Sequence, residues 1–113
     1  MQVSAMITST TGEKFYEEVL ESTLPVFVCF TSSRCDTCFP LCLVVNGLAK
    51  EYSGRVKFVR IDADREPELL ERYRIVLVPS VLLFKHAKPV SKLLGFHYER
   101  PIRRWLDKLT EGI

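Results

Sequence analysis

The sequence predicts an α/β fold in which a central mixed β-sheet is flanked by helices on both faces. Two continuous runs of β-branched and aromatic residues, Val26–Thr31 and Val56–Ile61, are typical of strands covered on both faces. A segment with helical spacing separates them, which favours parallel pairing. Near the C-terminus two further strand-like segments are joined by a short turn, and so short a connection requires an antiparallel pair.

The N-terminal part of the chain predicts one strand and one helix. Residues Gln2–Ile7 form a short strand pattern. Thr10 and Glu13 have the spacing of a capping box, in which each side chain satisfies the other's end of the helix backbone. Apolar residues on one face then continue this helix to about Ser22, namely Phe15, Val19 and Leu20. Pro25 ends the segment.

The centre of the chain predicts a strand, a loop and the longest helix. Val26–Thr31 leads through the loop Ser32–Arg34 into a helix from about Cys35 to Tyr52. Gly54 closes that helix, because glycine adopts the left-handed conformation common after helix C-termini. The buried strand Val56–Ile61 follows.

The C-terminal part predicts a short helix, a hairpin and a closing helix. The short helix covers Glu66–Tyr73. Strands Val81–Phe84 and Val90–Leu94 form a hairpin around the turn Lys85–Pro89. The closing helix, Pro101–Leu109, places four apolar residues on one face: Ile102, Trp105, Leu106 and Leu109. The predicted order is therefore β-α-β-α-β-α-β-β-α.

Length and charge exclude several classes of protein. A chain of 113 residues predicts a single domain over residues 1–113. The net charge of +2 gives no electrostatic signature of nucleic-acid binding. No apolar run approaches the roughly 18 residues that cross a bilayer. We therefore expect neither a nucleic-acid nor a membrane partner. We also expect a monomer, although neither length nor charge bears on the oligomeric state.

The cysteines indicate the compartment and exclude a disulfide scaffold. All four lie between Cys29 and Cys42, so they cannot link distant parts of the chain, and the core must hold the fold. The segment Met1–Gly12 lacks the basic start and apolar stretch of a secretory signal. We therefore expect a cytoplasmic protein, in a compartment where free thiols stay reduced.

The chemistry of the chain centres on Cys35-Asp36-Thr37-Cys38. A C-x-x-C motif is weak evidence alone, but this one directly follows a buried strand and opens a predicted helix. Unpaired N–H groups and a partial positive charge at a helix N-terminus lower the pKa of a thiol placed there. Cys35 is therefore the predicted nucleophile, and Cys38, one turn on, is the predicted resolving thiol of a redox disulfide.

Beyond this motif, the chain resembles the thioredoxin family from about Met6 to Leu109. The segments that carry the resemblance, in order and spacing, are Pro25–Phe30, Cys35-x-x-Cys38, Arg60–Asp64, Val78-Pro79-Ser80, Leu82–Lys85 and Gly95. The resemblance implies a thioredoxin fold and thiol–disulfide exchange with protein disulfides. It also implies that no bound cofactor is needed and that a separate flavoprotein reductase regenerates the dithiol.

The resemblance further implies a substrate-binding surface. The Val78–Pro79 peptide bond would be cis, and the proline would lie against the C-x-x-C. The backbone of Val78 would then bind an extended substrate peptide by strand addition, with Phe96 contributing to the surface. From the residues alone, Pro79 is equally a proline that begins a strand.

Beside Cys35 the chain departs from the family. Arg34 stands where the family commonly has tryptophan, and Asp36-Thr37 replaces Gly-Pro. The guanidinium of Arg34 favours the Cys35 thiolate, whereas the carboxylate of Asp36 opposes it. The two effects partly cancel, so the sequence assigns no redox potential.

Further departures surround Cys38. Cys29 replaces the family's buried aspartate, so we expect slower resolution of mixed disulfides, and Pro40 can shift the start of the helix. Cys29, Cys38 and Cys42 are predicted to form a buried cluster. Cys29 and Cys42 are either inert core residues or supply a second disulfide partner for Cys38. The four cysteines also equal the ligand number of a structural zinc site, although their spacing lacks two paired knuckles.

Because of these departures, the sequence is also compatible with a second function that is not enzymatic. In that alternative the fold is a peptide-binding module that presents Val78, Pro79 and Phe96, and the C-x-x-C is a redox latch or a relic. A disulfide-reduction assay with dithiothreitol distinguishes the two, because only the enzyme turns over.

Overall fold

A computed structural model describes residues 7–111 and contains one mixed sheet. Its strands are β1 (Ile7–Thr10), β2 (Val26–Thr31), β3 (Lys57–Asp62), β4 (Ser80–Lys85) and β5 (Lys88–Leu94). The helices are a π-helical segment (Tyr16–Leu20), α1 (Cys38–Glu51), α2 (Pro67–Arg72) and α3 (Glu99–Thr110). The strand order is β1-β3-β2-β4-β5, with β1, β3 and β2 parallel and the last two pairings antiparallel. The predicted mixed sheet is therefore confirmed.

Helices cover both faces of the sheet, as the apolar runs predicted. Successive side chains of β2 point to opposite faces, so Phe27 joins the core under α1 and α3. Phe30 joins the second core, under the π-helical segment and α2. Burial on both sides explains why β2 carries no polar residue before Thr31.

The predicted capping box at Thr10 is wrong. Thr10 is the last residue of β1 and pairs with Ile61 of β3, so its backbone belongs to the sheet. Thr11 stabilises the turn that precedes the π-helical segment, since its Oγ1 accepts a hydrogen bond from the Lys14 N–H at 3.2 Å, and the segment itself has no side-chain cap. The strand predicted over Gln2–Ile7 lies outside the described residues except for Ile7, where the observed β1 begins.

The first predicted helix is shorter than expected. It is a five-residue π-helical segment, Tyr16–Leu20, and it ends before Ser22. The predicted buried face is confirmed, because Phe15 and Val19 are both in the core.

Helix α1 begins three residues later than predicted, at Cys38, and Pro40 explains why. A helix starting at Cys35 would need an N–H of residue 40 to reach the Asp36 carbonyl, but proline has none and its ring would clash there. In the observed helix Pro40 is the third residue, where an N–H would be unpaired in any case. The first intrahelical bond runs from the Leu41 N–H to the Thr37 carbonyl at 3.1 Å.

The C-terminal hairpin is tighter than predicted. Strands β4 and β5 enclose a two-residue turn, His86 and Ala87, and both residues have positive φ, at 54° and 69°. Pro89 therefore lies inside β5 rather than in the turn. An edge strand tolerates it, and the register shifts between Leu83 and Phe84, opposite the start of β5.

Candidate active site

The centre of the site is a disulfide between Cys35 and Cys38, whose Cα atoms are 5.4 Å apart. Cys35 lies in the turn after β2, and its N–H donates to the Ser32 carbonyl at 3.2 Å. Cys38 is the first residue of α1 and is only 4% exposed, whereas Cys35 is partly exposed. A substrate in solution therefore reaches the sulfur of Cys35 before that of Cys38.

The groups around Cys35 differ in their relation to its sulfur. The hydroxyl of Thr37 lies 3.8 Å from the Cys35 Sγ, close enough to donate to a thiolate. The guanidinium of Arg34 points elsewhere: its side chain is 85% exposed and lies 3.6 Å from the carboxylate of Asp64. The Ser32 hydroxyl donates to the same carboxylate at 2.8 Å. Asp64 thus competes with Cys35 for the Arg34 charge that the sequence assigned to the thiolate.

The Val78–Pro79 peptide bond is cis, as the resemblance implied. Phe30, near the end of β2, pairs with Ser80 at the start of β4. Pro79 therefore lies at the same end of the central strands as the loop that carries Cys35. The Pro79 carbonyl accepts a hydrogen bond from the Gly95 N–H at 2.8 Å, which holds the end of β5 against this turn.

An apolar surface surrounds this turn. Val76 and Leu77, directly before Val78, are exposed, and Val76 is 91% exposed. Phe96 is partly buried against the core and packs edge-to-face on the exposed ring of Tyr98, with centroids 4.9 Å apart. Sequence reasoning named Val78 and Phe96 but missed Val76, Leu77 and Tyr98. The uninterrupted apolar run before Pro79 was the available signal.

Sequence reasoning also missed a cleft of about 530 Å³ beside the disulfide. It lies between the N-terminal end of α1 and the ends of β1, β2 and β3. Its walls carry Cys35, Cys38 and Cys42 on one side and, on the other, hydroxyl and charged side chains that include Arg60. Thr10 also lines it, and the buried Thr10 hydroxyl has no hydrogen-bond partner among the described residues.

The predicted cysteine cluster is only partly buried. Cys29 and Cys38 are both buried, but the free thiol of Cys42 is half-buried and lines the cleft. Burial, together with the nearby Cys42, raises the pKa of the Cys29 thiol to about 12, although Arg60 lowers it. Cys29 therefore stays protonated at neutral pH and cannot accept a proton as a carboxylate would.

Neither a metal-binding cluster nor a membrane-spanning helix is found within residues 7–111. No three His, Cys, Asp or Glu side chains in this range are grouped so that they could hold a metal ion. None of the helices in this range is long and apolar enough to cross a membrane.

The sheet topology, the cis proline and the disulfide before α1 define a redox protein of the thiol–disulfide exchange class. Comparison with known proteins identifies the family: the family model described as Thioredoxin matches residues 6–108. Thioredoxin 1 of Synechococcus elongatus is 34% identical, over 96% of this chain and 98% of its own length. Thioredoxin of Rickettsia bellii is 31% identical, over 90% of this chain and 97% of its own length. The chain belongs to the thioredoxin family and is a thiol–disulfide oxidoreductase.

Proposed function

We propose that this enzyme reduces protein disulfides with Cys35 as nucleophile and Cys38 as resolving thiol. The Cys35 thiolate attacks one substrate sulfur, so a mixed disulfide forms and the first substrate thiolate leaves. Cys38 then attacks the Cys35 sulfur and releases the second substrate thiolate. The substrate gains two electrons and two protons, and the enzyme is left with the Cys35–Cys38 disulfide. The supporting observation is the bonded pair in which only Cys35 is accessible.

The surroundings of the pair support these roles. The N-terminus of α1 places its partial positive charge at Cys38, and the Thr37 hydroxyl faces the Cys35 sulfur. Arg34 and Asp36 tune the Cys35 thiolate with opposite charges, and Asp64 draws part of the Arg34 charge away. Because Cys29 holds its proton, the proton of Cys38 leaves to solvent or to the substrate thiolate rather than to a buried acid.

Val78, Pro79 and Phe96 form the proposed peptide-binding surface. The backbone N–H and C=O of Val78 make no hydrogen bond within residues 7–111, so they are free to pair with an extended peptide. Exposed Val76 and Leu77 extend the surface with apolar area. The preferred substrates are therefore disulfides flanked by apolar residues in an extended or unfolded segment.

Family membership implies protein disulfide substrates and a reductase partner in general. We propose in particular that a flavoprotein reductase supplies the electrons, and that the enzyme acts in the cytoplasm as a monomeric single domain without a bound cofactor. The test is a coupled assay with a bacterial thioredoxin reductase, in which oxidation of NADPH depends on the protein and on a disulfide substrate. Sedimentation of the reduced protein tests the monomer.

The roles of the two cysteines are tested by insulin reduction driven by dithiothreitol. Cys35→Ser abolishes turnover, whereas Cys38→Ser retains the first attack and accumulates a mixed disulfide that mass spectrometry identifies at Cys35. A Cys35→Ser protein that reduces insulin at the native rate contradicts the assignment. A folded native protein with no turnover would indicate the peptide-binding module instead.

A further inference from the structure

Two cysteines lie next to the active-site disulfide and have no part in the proposed reaction. Cys42 is four residues beyond Cys38, so both lie on the same side of α1. Cys35, Cys38 and Cys42 all line the same cleft. The Cys42 thiol therefore shares one solvent-accessible space with the disulfide.

Cys29 lies beneath this part of α1. It is in β2, in register with Arg60 of β3, which also lines the cleft. It belongs to the same buried cluster as Leu41 and Val45, the α1 residues on either side of Cys42 along the helix. Consistent with this placement, Cys42 is one of the groups that raise the pKa of the Cys29 thiol, after burial. Cys29 therefore packs in the core beneath the stretch of α1 that carries Cys42.

We propose that Cys29 and Cys42 form a second dithiol–disulfide couple that exchanges electrons with the Cys35–Cys38 couple. The proposal rests on the proposed function, because the Cys35–Cys38 disulfide must first form by reduction of a substrate. A fully reduced chain then carries two electron pairs rather than one.

The exchange needs no external oxidant or reductant. The Cys42 thiolate attacks the Cys38 sulfur, so a Cys38–Cys42 bond forms and Cys35 leaves as a thiolate. Cys29 loses its proton and attacks the Cys42 sulfur, and Cys38 leaves as a thiolate. Two protons pass to Cys35 and Cys38. Cys29 and Cys42 are oxidised to a disulfide, and Cys35 and Cys38 return to a dithiol that reduces a second substrate.

The difference in exposure sets the order of the two steps. Cys42 is half-buried and lines the cleft beside the disulfide, whereas Cys29 is buried, so Cys42 attacks first. Cys29 reacts only once a sulfur partner lies against it, which makes its deprotonation the slow step. The second electron pair is therefore released more slowly than the first.

The test counts the disulfides reduced by each chain. Protein reduced and desalted without oxygen is mixed with excess insulin, and remaining thiols are alkylated under denaturing conditions before mass analysis. The wild-type chain should protect all four cysteines, contain a Cys29–Cys42 linkage and reduce twice as many insulin disulfides per chain as Cys42→Ala. Cys29→Ala is the matched control and should behave like Cys42→Ala, since either substitution removes one member of the couple.

Two outcomes overturn the proposal. In the first, Cys29 and Cys42 are fully alkylated although Cys35–Cys38 is oxidised, so each chain has delivered one electron pair. In the second, a Cys29–Cys42 disulfide also forms in the double variant Cys35→Ser/Cys38→Ser. This variant has no Cys35–Cys38 disulfide, so Cys29 and Cys42 would then be oxidised directly by the substrate rather than by exchange. Failure of the proposed function differs from both, because then neither the wild-type chain nor Cys42→Ala reduces insulin.

Discussion

Substitution of Pro40 by alanine should move the start of α1 towards Cys35. In the native chain Pro40 supplies no N–H, so the helix cannot extend back to an Asp36 acceptor and begins at Cys38. Pro40→Ala restores the donor and removes the ring. We expect the new N–H of residue 40 to bond the Asp36 carbonyl, which starts the helix one residue earlier and brings its N-terminus closer to Cys35.

The size of the effect follows from the helix dipole. A charge at a helix terminus gains about 0.3–1 kcal/mol, and this gain falls off within one turn. One pKa unit corresponds to about 1.36 kcal/mol, so the pKa of the Cys35 thiol should fall by about 0.2–0.7 units. Loss of the proline also raises the conformational entropy of the unfolded chain. This costs about 0.4–1 kcal/mol of stability and offsets the gain from the new hydrogen bond.

The assay is the pH dependence of alkylation in the reduced protein, followed at Cys35 by peptide mass analysis. Hydrogen exchange at the new amide of residue 40 reports whether the helix has lengthened. Pro89→Ala, in the edge strand β5, is the matched control and should leave the Cys35 pKa unchanged. A protected amide without a lower Cys35 pKa refutes the dipole argument, and an unprotected amide refutes the role of Pro40.

Three further predictions concern stability and substrate binding. Leu41→Ala should lower the free energy of unfolding by about 2–5 kcal/mol in a denaturant titration, because Leu41 is 1% exposed. Leu43 lies on the same helix but is 57% exposed, so Leu43→Ala should change the free energy of unfolding by under about 1 kcal/mol. The pKa of Cys29 is raised in the folded state, so its contribution to stability is complete below the unfolded value of about 9 and is lost as pH rises towards about 12. Between these values the free energy of unfolding of the reduced wild-type protein should fall more steeply with pH than that of Cys29→Ala, by about 1.4 kcal/mol per pH unit; equal slopes would contradict this. Val76→Ser should raise KM for insulin several-fold without lowering stability, since Val76 is almost fully exposed. The control Val90→Ser on β5 should leave KM unchanged. Equal KM values for the two variants would exclude Val76 from the substrate surface.

Sequence patterns predicted the elements with strong periodicity better than their ends. The apolar run Val26–Thr31 specified a strand buried on both faces, and the structure places that strand inside the sheet. The start of α1 was misplaced because the position of the C-x-x-C suggested one boundary and Pro40 imposed another. The capping box at Thr10 failed because pairing with Ile61 extended β1 through that residue, and ladder pairing is not a local property.

The candidate site was likewise predicted only in part from the sequence. Cys35, Cys38 and Pro79 were identifiable because their chemistry depends on local spacing and on a recognisable order along the chain. The Arg34–Asp64 contact joins residues thirty positions apart, and no local pattern predicts which of two nearby anions an exposed guanidinium approaches. The cleft could not be predicted from local sequence either, because its walls come from three strand ends and one helix.

The sequence by itself determined the class of the fold, the dithiol motif and the turn that ends in Pro79. These follow from side-chain periodicity and from the limits that proline and glycine place on the backbone. Only the tertiary structure decided which cysteine is accessible, and that Cys29 packs in the core beneath α1. The physical reason is that exposure and contact depend on how separate elements pack, whereas local patterns encode only the shape of each element.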